Sequence, residues 1–224
     1  MQIMLAGGFA PGRFLFKLTV MHTIDIGRRI AVAALLLCTA NQSLLGETVA
    51  ERAAPCLACH GETGQSENPE VPSLGGQPAP YLLIQLYMFR EKQRASPAKK
   101  DDPMIQVMTE MTTGFTDDDL RNFSDFVAKL PAPKPPADAG DADRMQRAAA
   151  LITQNRCNSC HNLDLAGRDN IPHIANQRED YLVRTMREYK SNDRRGYDGT
   201  MAEVLAPVND QQILDLAYYI SRFR

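Results

Sequence analysis

The chain contains no tryptophan, and aromatic residues make up only 7% of its 224 positions. Small domains built from so few large side chains are short of core, so something besides protein must help to fill them. Membrane-length apolar runs are missing as well. Ile30 to Ala40 holds 11 residues, about half of the ~20 that a spanning helix needs. Basic charge is not in excess: 25 Lys and Arg stand against 27 Asp and Glu, which excludes the concentrated cationic face of a nucleic-acid binder. Strand-like alternation is scarce. There are only four histidines and five cysteines, with no cysteine between Cys59 and Cys157.

What is present begins with a leader. Arg28-Arg29 directly before Ile30–Ala40 is the charged-then-apolar order of a signal peptide. Residues 1–46 are therefore expected to be an export leader, cleaved between Ala40 and Gly46. Met21 is an alternative start, and Cys38 is discarded with the leader. Residues 41–130 then hold 8 basic and 13 acidic side chains, and 131–224 hold 13 of each. The acid excess of the exported part lies in its first half.

The remainder is a repeat. Pro72-x4-Gln77-x3-Tyr81-Leu82 returns as Pro172-x4-Gln177-x3-Tyr181-Leu182, and Arg94 returns as Arg194. Near the end of each copy, Thr116 and Asn209 stand as N-caps before apolar residues at three- and four-residue steps, which predicts a closing amphipathic helix. Asp141 or Asp143 is expected to cap another helix that runs into the second cysteine pair. Between the copies, Pro131 to Gly140 has the composition of a semi-rigid extended linker. The reading is all-α, with domains at 47–130 and 141–224 joined by 131–140.

Each copy carries C-x-x-C-H: Cys56-Leu-Ala-Cys59-His60 and Cys157-Asn-Ser-Cys160-His161. This is the attachment pattern of c-type haem. Two thiols on one helical turn reach both vinyl groups of a porphyrin, and the adjacent histidine presents a nitrogen to the iron. A zinc site would have to join arms about 100 residues apart across a hinge, a thioredoxin-like pair would need a βαβ context, and plain disulfides give no reason for the histidines. Two covalently bound haem c groups are the expected cofactors.

The second axial ligand decides between electron transfer and catalysis. Besides His22 and the motif histidines only His173 remains, so at most one iron has two histidines. Met108 lies eight residues before Thr116 and Met201 eight before Asn209, the one methionine pair that coincides in the repeat frame. Met104 and Met111 are alternatives to Met108. Met88, Met145 and Met186 fit core filling. The carbonyls of Pro72 and Pro172 are candidates to accept the other ring N–H of each motif histidine. Gln77, Tyr81, Gln177 and Tyr181 are candidates for haem propionates; Arg94 and Arg194 either offset propionate charge or lie on a solvated face.

On CLACH and CNSCH, PSLGGQPAPYLLIQL and PHIANQREDYLVRTM, and VMTEMTTGFTDDDL and TMAEVLAPVNDQQIL, the sequence resembles the di-haem cytochromes of the c4 type, built from two class I cytochrome c domains. The resemblance implies His60 with Met108 and His161 with Met201 as axial pairs, and thioethers at Cys56, Cys59, Cys157 and Cys160. It implies a periplasmic one-electron carrier between a quinol-oxidising complex or dehydrogenase and a terminal oxidase, with possible peripheral membrane association. Ala175-Asn176 departs from the pattern where the first copy keeps Gly75-Gly76. A bound subunit of the flavocytochrome c sulfide dehydrogenase type looks similar, and a di-haem peroxidase or thiosulfate dehydrogenase is the enzymatic alternative.

Overall fold

Two copies of one helical plan account for the fold. The computed structural model describes residues 46–69, 71–94, 103–194 and 199–224; the expected leader, with Met21 and Cys38, lies outside them, as do the side chain of Met104 and most of the polar stretch after Arg94. Thr48–Arg224 forms one compact unit. Among the described residues there are no strands beyond one isolated bridge, Arg168 with Ile171, and no helix long and apolar enough to cross a membrane.

In the first copy α1 is Val49–His60, α2 Ala79–Arg90, α3 Pro103–Thr112 and α4 Asp117–Ala128. α1 starts on a capping box, with Thr48 and Glu51 satisfying each other's backbone N–H groups. Thr116 and Asp119 do the same for α4. The closing helix α4 packs against both α1 and α2, burying Leu120, Phe123 and Val127. Arg52 of α1 forms an ion pair with Asp119 and lies 5.1 Å above the Phe123 ring.

The second copy has α5 Ala142–Gln154, α6 Cys157–His161, α7 Glu179–Lys190, α8 Thr200–Leu205 and α9 Asp210–Ile220. Asp141 is the N-cap of α5, and Asn209 with Gln212 builds the capping box of α9. α9 packs on α5 and α7, and Arg144 of α5 pairs with the buried Asp215 of α9 at 2.8 Å. The core includes Leu151, Leu165, Leu182, Met186, Val208, Ile213, Leu216 and Ile220. The helix expected to run into the second cysteine pair does not do so. It ends at Asn155, and Arg156 takes a left-handed turn (φ 53°) before α6 starts afresh.

Residues 131–140 form no helix and bend at 137–138, and the segment is tied down on both sides. The Lys134 N–H donates to Gln65 Oε1 at 3.2 Å, and the Arg224 guanidinium donates to the carbonyl of Pro136 at 2.8 Å. A Cβ on Gly75 would stand 2.1 Å from the Pro131 carbonyl oxygen, so glycine is what lets this segment lie so close. Gly76 follows at φ 69°; in the second copy Asn176 takes the same left-handed conformation at φ 57°, which asparagine tolerates better than most residues. The second copy thus keeps the turn without the glycine pair.

Candidate haem sites

The first C-x-x-C-H motif ends α1, and the second makes up the whole of α6. A helical turn puts residues three apart on one face, which brings Cys56 beside Cys59 and Cys157 beside Cys160. None of the four is paired in a disulfide. In each pair the first is half-buried and the second exposed, and burial, ahead of the neighbouring thiol, pushes the Cys56 and Cys157 thiols above their ordinary range. Among the described residues no three His, Cys, Asp or Glu side chains cluster as a metal site, so the pairs do not meet as the arms of a zinc ribbon would.

His60 and His161 are each 6% exposed. The Nδ1 of His60 lies 2.8 Å from the Pro72 carbonyl oxygen, and that of His161 lies 2.9 Å from the Pro172 carbonyl. A carbonyl accepts and cannot donate, so Nδ1 carries the proton and Nε2 is left with its lone pair. Burial lowers both imidazoles' affinity for a second proton, more than the carbonyls restore it, and for His60 the nearby Arg94 acts in the same direction as burial. Two neutral imidazoles, each with a free Nε2 beside a thiol pair, fit covalent haem c.

Met201 lies in the first turn of α8, half-buried against the second core. Met108 is half-buried in α3, whereas Met111 is 37% exposed. Met88 and Met186 are buried within the helical core, as expected of filling residues. His173 Nε2 lies 3.0 Å from the Ala175 carbonyl, so its ring is engaged within its own loop.

The repeated polar residues behave less as expected. Arg194 is 6% exposed and not on a solvated face. Its two terminal nitrogens each donate to the Tyr181 hydroxyl at 3.2 Å, and Arg94 of the other copy donates to that same oxygen at 3.3 Å. Among the described residues neither arginine pairs with a carboxylate. Burial raises the Tyr181 phenol, but the two guanidinium groups outweigh it and bring the phenol below the ordinary tyrosine range. A covered place where two guanidinium groups share one hydroxyl is suited to carboxylates brought by a ligand, such as haem propionates. Gln77 and Gln177 are not available for that task, because both ends of each amide are taken by backbone of the opposite copy. Only the backbone path across the two copies could have revealed this; nothing in the local sequence does.

Two all-helical domains, each presenting a thiol pair and a neutral, oriented imidazole, define a two-domain c-type haem protein. The chain belongs to the cytochrome c family, whose model matches residues 44–131 and again 145–223. It is similar to cytochrome c4 of Azotobacter vinelandii, 26% identical over 180 residues that cover 75% of this chain and 84% of that protein. It is also similar to the thiosulfate dehydrogenase electron acceptor of Thiomonas intermedia (strain K12), 28% identical over 180 residues, 75% of this chain and 78% of that one. The solved cytochrome c4 of Acidithiobacillus ferrooxidans superposes with a TM-score of 0.65 at 23% identity, over 76% of this chain and 99% of its own. The protein is thus a c4-like di-haem electron carrier with two covalently bound haem c groups.

Proposed function

We propose that this chain is a periplasmic one-electron carrier that takes electrons from a quinol-oxidising complex or a dehydrogenase and delivers them to a terminal oxidase. In this reading residues 1–46 are the export leader, 47–130 and 141–224 the two haem domains, and 131–140 their connector. Cys56 and Cys59, and Cys157 and Cys160, hold the thioethers. His60 with Met108 and His161 with Met201 are the axial pairs. When bound, each haem c supplies an Fe(III)/Fe(II) couple.

The observation that carries the reading is the matched pair of neutral histidines, each held by a proline carbonyl. The carbonyl fixes the tautomer and ring direction and strengthens the imidazole as a donor. A methionine thioether on a separate helix completes the set and favours a relatively high potential. With an imidazole and a thioether to hold each iron in either oxidation state, electron transfer would ask for little rearrangement. Arg94, Arg194 and Tyr181 supply the positive and hydrogen-bonding surroundings for propionates. The second cysteine of each motif is exposed, so a haem held there would be reachable by a redox partner through a small and transient contact.

The test is an oxidised absorption spectrum of the purified holoprotein with an iron count. Two haems per chain and a Met–Fe(III) charge-transfer band are expected, and Met201→Ala should remove half of that band. An intact band in Met201→Ala would refute the ligand set. A second reading, the electron acceptor of a thiosulfate-oxidising enzyme, is supported by similarity to the Thiomonas protein over most of the chain. Rapid reduction by a thiosulfate dehydrogenase with thiosulfate, and slow reduction by a quinol-oxidising complex, would favour it. Thiosulfate turnover by the isolated chain would instead make the protein an enzyme.

A further inference from the structure

The loops that orient the two motif histidines are held from across the molecule. Gln177 is 4% exposed; its Oε1 accepts the Ser73 N–H at 2.8 Å and its Nε2 donates to the Ser73 carbonyl at 2.8 Å. Gln77, equally buried, mirrors this on the other copy. Its Oε1 accepts the His173 N–H at 3.0 Å and its Nε2 donates to the His173 carbonyl at 2.6 Å.

Ser73 and His173 follow the two prolines whose carbonyls face the histidines. The Pro72 C=O and the Ser73 N–H are the two ends of a single peptide group, and a peptide group is planar and stiff. His60 Nδ1–H therefore donates to one end of a plane whose other end donates to Gln177. His161, the Pro172–His173 peptide and Gln77 form the same series in the opposite sense. Hydrogen bonds in a chain polarise one another, so an acceptor on the peptide N–H makes its carbonyl a better acceptor for the imidazole.

We propose that Gln77 and Gln177 are crosswise positioning residues: each sets the donor strength of the axial histidine in the other domain, so that each haem's reduction potential depends on a side chain from its neighbour's domain. This rests on the axial roles of His60 and His161 given above. The sign follows from the chain of bonds. Without the glutamine the proline carbonyl is a weaker acceptor, the imidazole is less electron-rich, the ferric state is less favoured, and the potential rises.

The experiment uses the full holoprotein with Gln177→Met and Gln77→Met, which keep length and volume but make neither bond. Each haem's potential is followed by NMR during a redox titration, with the haems assigned through Met201→Ala. Gln177→Met should move the one-electron equilibrium of the His60 haem by about threefold, about 30 mV upward at 59 mV per tenfold, and leave the His161 haem unmoved. Gln77→Met should do the reverse. The proposal is overturned by a shift on the variant's own domain, by equal shifts on both, or by none. A haem count of two and an intact Met–Fe(III) band in the variants keep the ligand assignment out of question when the crosswise shift fails. If a variant does not fold, wild-type holoprotein still decides: scalar couplings across the hydrogen bonds from the Ser73 N–H to Gln177 Cδ and from the His173 N–H to Gln77 Cδ are expected, and their absence would sink the idea.

Discussion

Asp119→Ala should weaken the first domain in a manner that depends on pH. The Asp119 carboxylate accepts the Thr116 N–H at 2.9 Å and the Thr116 hydroxyl at 2.8 Å, and it pairs with Arg52, one turn ahead of Cys56 on the haem-bearing helix. Losing its half of the capping box costs about 1 kcal/mol. The ion pair is only partly shielded, with Arg52 at 36% and Asp119 at 13% side-chain exposure, so it adds roughly 0.5 kcal/mol. Alanine's better helix propensity returns up to about 0.5 kcal/mol. The net loss at pH 7 is about 1 kcal/mol, about half a molar in the urea midpoint of that domain for a slope near 2 kcal/mol per molar. The Thr116 N–H, then the Arg52 and Thr116 side-chain bonds, lower the Asp119 carboxyl from 3.8 to about 2. A carboxyl lowered in the folded state stabilises fully above its unfolded value and loses that contribution as pH falls through the folded one. The cost of Asp119→Ala should therefore be constant from pH 7 to about 4, shrink below that, and be mostly lost as pH falls through about 2. Gln212→Ala, which removes the matching but uncharged contact to the Asn209 N–H at 2.9 Å, should cost less and show no such pH dependence. Urea titrations of the holoprotein at several pH values decide it; an Asp119→Ala penalty as large at pH 2 as at pH 7 would refute the reasoning.

Three further outcomes are expected. Met111→Ala should leave the whole Met–Fe(III) band in place, because the side chain is 37% exposed; loss of half the band would move the first-domain ligand from Met108 to Met111. Ile213→Ala removes a side chain that is 1% exposed in the second core and should cost about 2–5 kcal/mol, read as earlier unfolding of the second domain by calorimetry. Gly75→Ala should loosen the connector, since its Cβ would meet the Pro131 carbonyl at 2.1 Å, and limited proteolysis between residues 131 and 140 should become faster.

Local chemistry made much of this fold readable. Thr116 and Asn209 cap their helices because a short polar side chain before an apolar period has few other uses, and both stand where the sequence puts them; of the pair Asp141 and Asp143, it is Asp141 that caps α5. The proline carbonyls opposite His60 and His161 were legible because the repeat kept them in step with the motifs. From sequence Gln77 and Gln177 point toward propionates because their partners, the His173 and Ser73 peptides, lie about 100 residues away and carry no side-chain signature. Arg194 reads equally well on a solvated face, since it is buried by Tyr181, Thr185 and Tyr189 of its own copy, a gathering that no local pattern announces. The break before α6 had one local hint, Asn155, a residue that ends helices readily; the left-handed Arg156 after it had none.

That break has a bearing on how the second attachment motif acquires its shape. A five-residue helix between residues at φ 53° and φ 68° is far below the length that holds in water by itself. Its closure comes from elsewhere: the Gly167 N–H donates to the His161 carbonyl at 3.0 Å and Asn162 Nδ2 donates to the Gly167 carbonyl at 2.7 Å. α1, by contrast, has twelve residues and its own capping box. The first motif closes a longer helix that carries its own cap, while the second is held by the loop that follows it, so the twin sites, alike in sequence, rest on different supports.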